Sequence, residues 1–137
     1  MRGAMMVAIA CVSVSSAAEA AKSVSGRWVT EEETAIVEIG PCVQGICGKV
    51  LRILPAAAHE PKTDVHNPNP SLRSRPIIGL TVLYDFKENG EEWRGRIYSP
   101  KEGDHYRSTM RLNPDGTLRV KGCLAFFCKT QTWKPVH

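Results

Sequence analysis

Beyond its first twenty residues the sequence lacks any stretch with the 3.6-residue apolar period of an amphipathic helix. It also lacks a later run long and apolar enough to cross a bilayer, which needs about 20 such residues. Those absences exclude a helical bundle and a helical membrane protein. There is no nucleophile elbow, no phosphate-binding glycine loop and no pair of carboxylates at a catalytic spacing, so the familiar hydrolase and nucleotide signatures are missing. Histidine is scarce, at four residues, and none accompanies a cysteine pair, which argues against zinc. His66 beside Asp64 and His105 beside Asp104 read as surface hydrogen bonds. A net charge of +4 falls well short of a nucleic-acid-binding composition. No motif calls for a cofactor or a metal.

What is present begins with a leader. One cation, Arg2, precedes an apolar run from Ala4 to Val14, followed by the small-x-small sequence Ala18-Glu19-Ala20. This is the pattern of a signal peptide, too short to be a transmembrane helix. The expected cut follows Ala20; the rival reading, an acylated Cys11, has too little apolar chain before it. Residues 1–20 are therefore expected to be removed, leaving one domain, 21–137, in the periplasm or, alternatively, secreted outside the cell.

Eight short strands follow, spaced by turn signals: Gly26–Thr30, Thr34–Ile39, Cys47–Leu54, Ile77–Phe86, Glu92–Tyr98, His105–Leu112, Thr117–Gly122 and Lys129–Lys134. Asn89-Gly90 and Asn113-Pro114-Asp115-Gly116 are strong turn sequences. Tight turns make neighbours antiparallel, so the expected fold is all-β, an up-and-down barrel of about eight strands, with a β-sandwich as the alternative. Only 55–76, with Pro61, Pro68 and Pro70, breaks the pattern. A loop so long in a compact domain is either functional or disordered.

Loss of the leader turns five cysteines into four, an even number suited to an oxidising compartment. Three connectivities are open, and chain entropy alone does not choose among them, at roughly 2 kcal/mol for a bridge closing about 6 residues and roughly 4.5 for one spanning about 80. Geometry favours local bridges. With Gln44-Gly45 as a hairpin tip, Cys42 and Cys47 face each other across the strands. Cys123 and Cys128 do so about Ala125-Phe126, a tip without the glycine that a positive φ prefers.

Asp64-Val65-His66-Asn67-Pro68, then Leu72-Arg73-Ser74-Arg75-Pro76-Ile77-Ile78-Gly79, resembles the central signature of a family of exported bacterial proteins known as domain of unknown function 2147. Gly26-Arg27-Trp28, Cys42 with Cys47-Gly48, Trp93-Arg94-Gly95-Arg96-Ile97-Tyr98, Gly122-Cys123-Leu124 and Thr130-Gln131-Thr132-Trp133 fit it as well. The resemblance implies a β-rich envelope protein and brings no activity with it. Gly26-x-Trp28 on a first strand is also similar to the lipocalin-like barrels, in which an early tryptophan closes one end against a late cation, here Lys129 or Lys134.

Arg73 and Arg75 point the same way in extended chain, so their guanidiniums either grip an anion together or pair with Asp64 or Glu60 to pin the loop. Asn67 is placed to cap the turn before Pro68. Arg94, Arg96, Arg107, Arg111, Arg119 and Lys121 alternate with apolar residues on three successive strands. They form either a solvated outer wall or a contact for anionic lipid or cell-wall polymer. The leading expectation is a non-enzymatic binding or envelope-associated module whose small-ligand or anionic-surface site is built from Asp64, Asn67, Arg73, Arg75, Trp93 and Tyr98. The alternatives are a structural or stress-related envelope protein that binds another protein or the cell wall, and a hydrolase or thiol-exchange enzyme with an unfamiliar site.

Overall fold

Alternating apolar residues bounded by Gly, Pro and Asn turns become eight strands in the computed structural model, which describes residues 3–15 and 19–137. Arg2, and residues 16–18 of the expected leader, lie outside the described residues. The strands are β1 Gly26–Val29, β2 Ala35–Pro41, β3 Ile46–Ile53, β4 Thr81–Asn89, β5 Glu92–Ser99, β6 Asp104–Leu112, β7 Leu118–Leu124 and β8 Phe127–Pro135. Each pairs antiparallel with the next, and β8 returns to β1, so the sheet is a closed up-and-down barrel. Closure removes the exposed edges that a sandwich of the same strands would leave.

Leu83, Phe86, Met110 and Leu118 are fully buried, with Val37, Ile39, Val50, Val120, Trp28 and Trp133 nearly so. They pack the lumen with side chains, as expected for an eight-stranded barrel. A bulge in β4 at Asp85, which adopts φ 57°, turns Phe86 into that core. Gly95 makes room for it: a Cβ there would lie 2.6 Å from the Phe86 ring and 2.7 Å from the Tyr84 carbonyl oxygen. The opposite faces of β5 and β6 carry Arg94, Arg96, Arg107 and Arg111 into solvent. Apolar inside and charged outside is the reverse of a membrane-spanning barrel.

The segment before β1 covers one end. Trp28 Nε1 donates to the Val24 carbonyl and Trp93 Nε1 to the Lys22 carbonyl, each at 2.9 Å, and Val24 is buried between them and the core. The expected cation on Trp28 is replaced by this plug: among the described residues the one cation–ring stack is Arg75 over Tyr98. The seam between β1 and β8 holds two residue pairs, Trp28 with Pro135 and Val29 with Lys134. Beyond them Glu31 Oε2 accepts from the Thr132 amide at 2.9 Å.

Two expectations are corrected. β4 begins at Thr81 instead of Ile77, because residues 77–80 tie off the long loop. The Ile77 amide donates to the Lys62 carbonyl, Leu80 N to Ile77 O, and Gly79 turns at φ 88°. The expected Cys42–Cys47 bridge is absent: both are free thiols. The hairpin closes through Cys42 N to Gly45 O at 3.1 Å, a tip of four residues, so Cys47 stands opposite Gly40 and Cys42 lies outside the ladder. Burial and then a hydrogen bond with Cys42 push the Cys47 thiol up to about 11. Cys123 and Cys128 do face each other, with Cα atoms 4.1 Å apart, and are bonded.

Glycine packing supplies a test. Gly95→Ala is expected to destabilise the barrel by about 1–3 kcal/mol through overpacking. Gly122→Ala, whose Cβ would meet nothing closer than 3.6 Å, is expected to change little. Urea unfolding of the two variants checks the contrast.

Candidate functional site

Loop 55–80 owes its shape to one buried carboxylate. Asp64 is 0 % exposed. Its Oδ1 accepts from the Tyr98 hydroxyl at 2.6 Å, and its Oδ2 accepts from Asn67 Nδ2 and Arg75 Nε, each at 2.9 Å. Its backbone is held too, Asp64 N donating to Arg75 O at 3.0 Å. Burial pushes the Asp64 carboxyl up. The hydrogen bonds from Tyr98, Asn67 and Arg75 outweigh it and hold the pKa below the ordinary carboxylate value. Tyr98 shows the reciprocal effect, pushed up to about 12 by burial and by its bond to Asp64.

The sequence around this carboxylate builds the turn that presents it. Asn67 Oδ1 accepts from Asn69 N at 2.8 Å, which stiffens the chain across Pro68, and Arg73 Nε donates to the Asn67 carbonyl at 2.8 Å. The turn rests on the β5–β6 connection, where a Cβ at Gly103 would lie 2.0 Å from the His66 carbonyl oxygen. Only glycine allows that approach, and Gly103 also adopts φ 73°.

Tyr98 shares a strand face with Arg94 and Arg96, so alternation sends it to the outer wall, yet it is 2 % exposed. The loop is what covers it, and the Arg75 guanidinium lies 5.5 Å from its ring centre. His105 packs on Tyr98 with ring centres 4.7 Å apart, and its Nδ1 shares a 2.6 Å hydrogen bond with the Tyr84 hydroxyl. Arg96 Nε donates to that same hydroxyl at 3.2 Å.

Of the six residues expected at the site, Asp64, Asn67, Arg73, Arg75 and Tyr98 therefore meet in one cluster, arranged as a loop anchor whose polar atoms answer one another. Trp93 stands apart, at the plugged end of the barrel. Tyr84 and His105 join the cluster without having been expected there. Their signal was the outward parity of Tyr84, Arg96 and Tyr98 on paired strands, legible only once the register is known. The outer cations are only partly a basic patch: Arg94 and Arg119 lie 3.8 and 3.7 Å from Glu92, and Arg111 lies 3.1 Å from Glu91. No group of three or more His, Cys, Asp or Glu among the described residues is placed to hold a metal ion.

The pinned loop forms one wall of a groove. Ile53, Leu54 and Pro55 at the end of β3 face Ala58, Lys62 and Ile78 across a volume of about 420 Å³. Lys62 Nζ donates to the Ala58 and Ala57 carbonyls at 3.0 and 3.4 Å, which fixes it at the rim and leaves one N–H free.

The anchor is testable through pH. Because the folded-state pKa of Asp64 lies below its unfolded value, its contribution is complete above pH about 4 and fades as pH falls through the folded pKa. Asp64→Asn is expected to cost about 2 kcal/mol at neutral pH, since one of the two acceptor oxygens and the charge facing the half-exposed Arg75 are lost, and to flatten the acid limb of the stability curve. Chemical unfolding of both proteins between pH 2 and 7 measures this; parallel curves would exclude the anchoring role.

The chain resembles a solved protein from the human pathogen Helicobacter pylori described as belonging to the lipocalin family. The two share 24 % identity and a TM-score of 0.71, over 84 % of each chain. That likeness establishes the shared barrel fold. No curated protein matches the chain. The family model described as an uncharacterised protein conserved in bacteria matches residues 26–135, from the first strand of the barrel to the last. By that match the chain belongs to the bacterial family of domain of unknown function 2147.

Proposed function

We propose that this protein is an exported, non-enzymatic binding module that takes a small amphipathic molecule in the groove between the end of β3 and the pinned loop. The observation that carries this reading is the groove itself. The groove is shallow and open to solvent along one side, with a volume of about 420 Å³ and a lining that is apolar apart from one cation, so it would hold a ligand by one face. Ile53, Leu54, Pro55, Ala58 and Ile78 would take the apolar part of the ligand, and the free N–H of Lys62 an acceptor or anionic end. Eight-stranded barrels of lipocalin type hold one small ligand. Here large side chains fill the lumen, which supports a site at the rim instead of the centre.

The test uses anilinonaphthalene sulfonate, an apolar anion whose fluorescence rises on leaving water. The wild type is expected to bind it, and Ala58→Trp, which fills the groove from an exposed position, is expected to bind at least tenfold more weakly at an unchanged Tm. Equal binding by both proteins, or none by either, would remove the groove as the site.

Export is supported by the leader pattern, by the bonded Cys123–Cys128 pair and by the state of the apolar run. Met5, Met6, Ile9, Val12 and Val14 are each more than 80 % exposed and pack against nothing. Cleavage after Ala20 would keep Lys22 and Val24, which plug the barrel. N-terminal sequencing of the product from the cell envelope is expected to begin at Ala21; a retained leader or an acylated Cys11 would contradict the reading.

A further inference from the structure

The β7–β8 hairpin ends in a tip that the fold does not use. Leu124 and Phe127 pair across the strands and Phe126 occupies the two-residue turn, and they are 60, 85 and 99 % exposed. Turns of this length favour glycine and asparagine, which accept a positive φ; here Ala125 adopts φ 51°. Strain in the backbone and a contiguous apolar patch at one projecting point together mark an interaction site. The next residue pair inward is the Cys123–Cys128 bridge, which joins the two strands at the base of the tip.

Cations surround the tip. Lys129, opposite Gly122, lies on the same strand face as Phe127, and Lys121 lies on the other, while Arg107 reaches the tip directly, Nη2 to Ala125 O at 2.8 Å. Lys101 stands on the neighbouring β5–β6 turn. Of the acids there, Glu102 is engaged by the Tyr106 hydroxyl, and Asp104 heads β6. None of Arg107, Lys121 and Lys129 forms an ion pair among the described residues, whereas Arg94, Arg111 and Arg119 are answered by Glu91 and Glu92.

We propose that this hairpin tip docks the protein on a bilayer with anionic headgroups. Leu124, Phe126 and Phe127 enter the headgroup–acyl boundary, and Arg107, Lys121 and Lys129 contact the headgroups around them. Charge complementarity selects the occupant: an apolar wedge with a basic collar matches the layering of an anionic membrane surface, apolar beneath and negative above. The inference is independent of the groove, which has separate residues and a separate probe.

The experiment uses the chain without residues 1–20 and vesicles of phosphatidylcholine, with and without phosphatidylglycerol. Phe126→Trp places a reporter at the tip. Its emission is expected to shift to the blue on mixed vesicles and to be quenched by lipid brominated near the headgroup, with neither change on phosphatidylcholine alone. In flotation, Phe126→Ser with Phe127→Ser is expected to lose at least tenfold in partitioning. Lys121→Glu with Lys129→Glu is expected to lose at least tenfold in partitioning on the anionic vesicles, with phosphatidylcholine alone holding neither protein. Both pairs are exposed or half-exposed, and an unchanged Tm verifies the fold. Vesicle binding that survives the Phe126→Ser, Phe127→Ser double substitution would overturn the proposal, as would an unshifted tryptophan. Concentration-dependent dimerisation without lipid, abolished by the same substitutions, would overturn it in favour of a second copy of the chain.

Discussion

A carboxylate taken wholly out of water stays ionised only if its oxygens are answered by donors, and that requirement at Asp64 organises one end of the molecule. Tyr98 supplies a donor from the barrel wall, while Asn67 and Arg75 supply theirs from the loop, so a single side chain joins the two. Ordering a long irregular segment costs roughly 1–2 kcal/mol per residue in backbone entropy. Burial of Ala57, Leu80 and Tyr98 and the bonds at Asp64 each contribute against that cost. Without the carboxylate, the wall that faces Ile53 and Leu54 loses its support, and the groove with it.

The number and order of the strands were legible because period-two alternation and turn residues are local signals. Eight runs were expected and eight formed, with the largest boundary error at β4. That error has a physical source. Ile77 and Ile78 are as β-compatible as any residue in the chain, but the preceding loop must be tied to Lys62, and the tie uses the Ile77 amide. The two cysteine pairs divide on the same ground. Equal spacing suggested equal hairpins, yet Gly45 closes a four-residue tip where Ala125-Phe126 makes a two-residue one, and that difference decides whether the thiols oppose each other.

Less of the site could be read. The partnership of Asp64 with Arg75 follows from charge and proximity to the loop ends, and Asn67 takes the turn-capping place its sequence indicates. The role of Tyr98 does not follow from the sequence, because alternation alone sends it to solvent; its burial requires a loop to fold back over the outer wall. Trp93 carries the opposite lesson. As an aromatic within a motif it invited a ligand, but its indole N–H closes the barrel on the Lys22 carbonyl. A tryptophan on an inner face meets its polar obligation wherever a backbone carbonyl comes within reach.

The seam between β1 and β8 joins residues near the two ends of the sequence through only two residue pairs. Contacts so distant along the chain bring the largest loop-closure entropy, so the barrel cannot be completed until its last strand is available, and the seam forms late. The same sparse ladder should be the first part of the sheet to open in the native state, with amides of Val29 and Lys134 exchanging with solvent ahead of those in the longer β4–β5 and β5–β6 ladders. A barrel that is tightly filled and sealed at one end thus keeps a built-in weak stave.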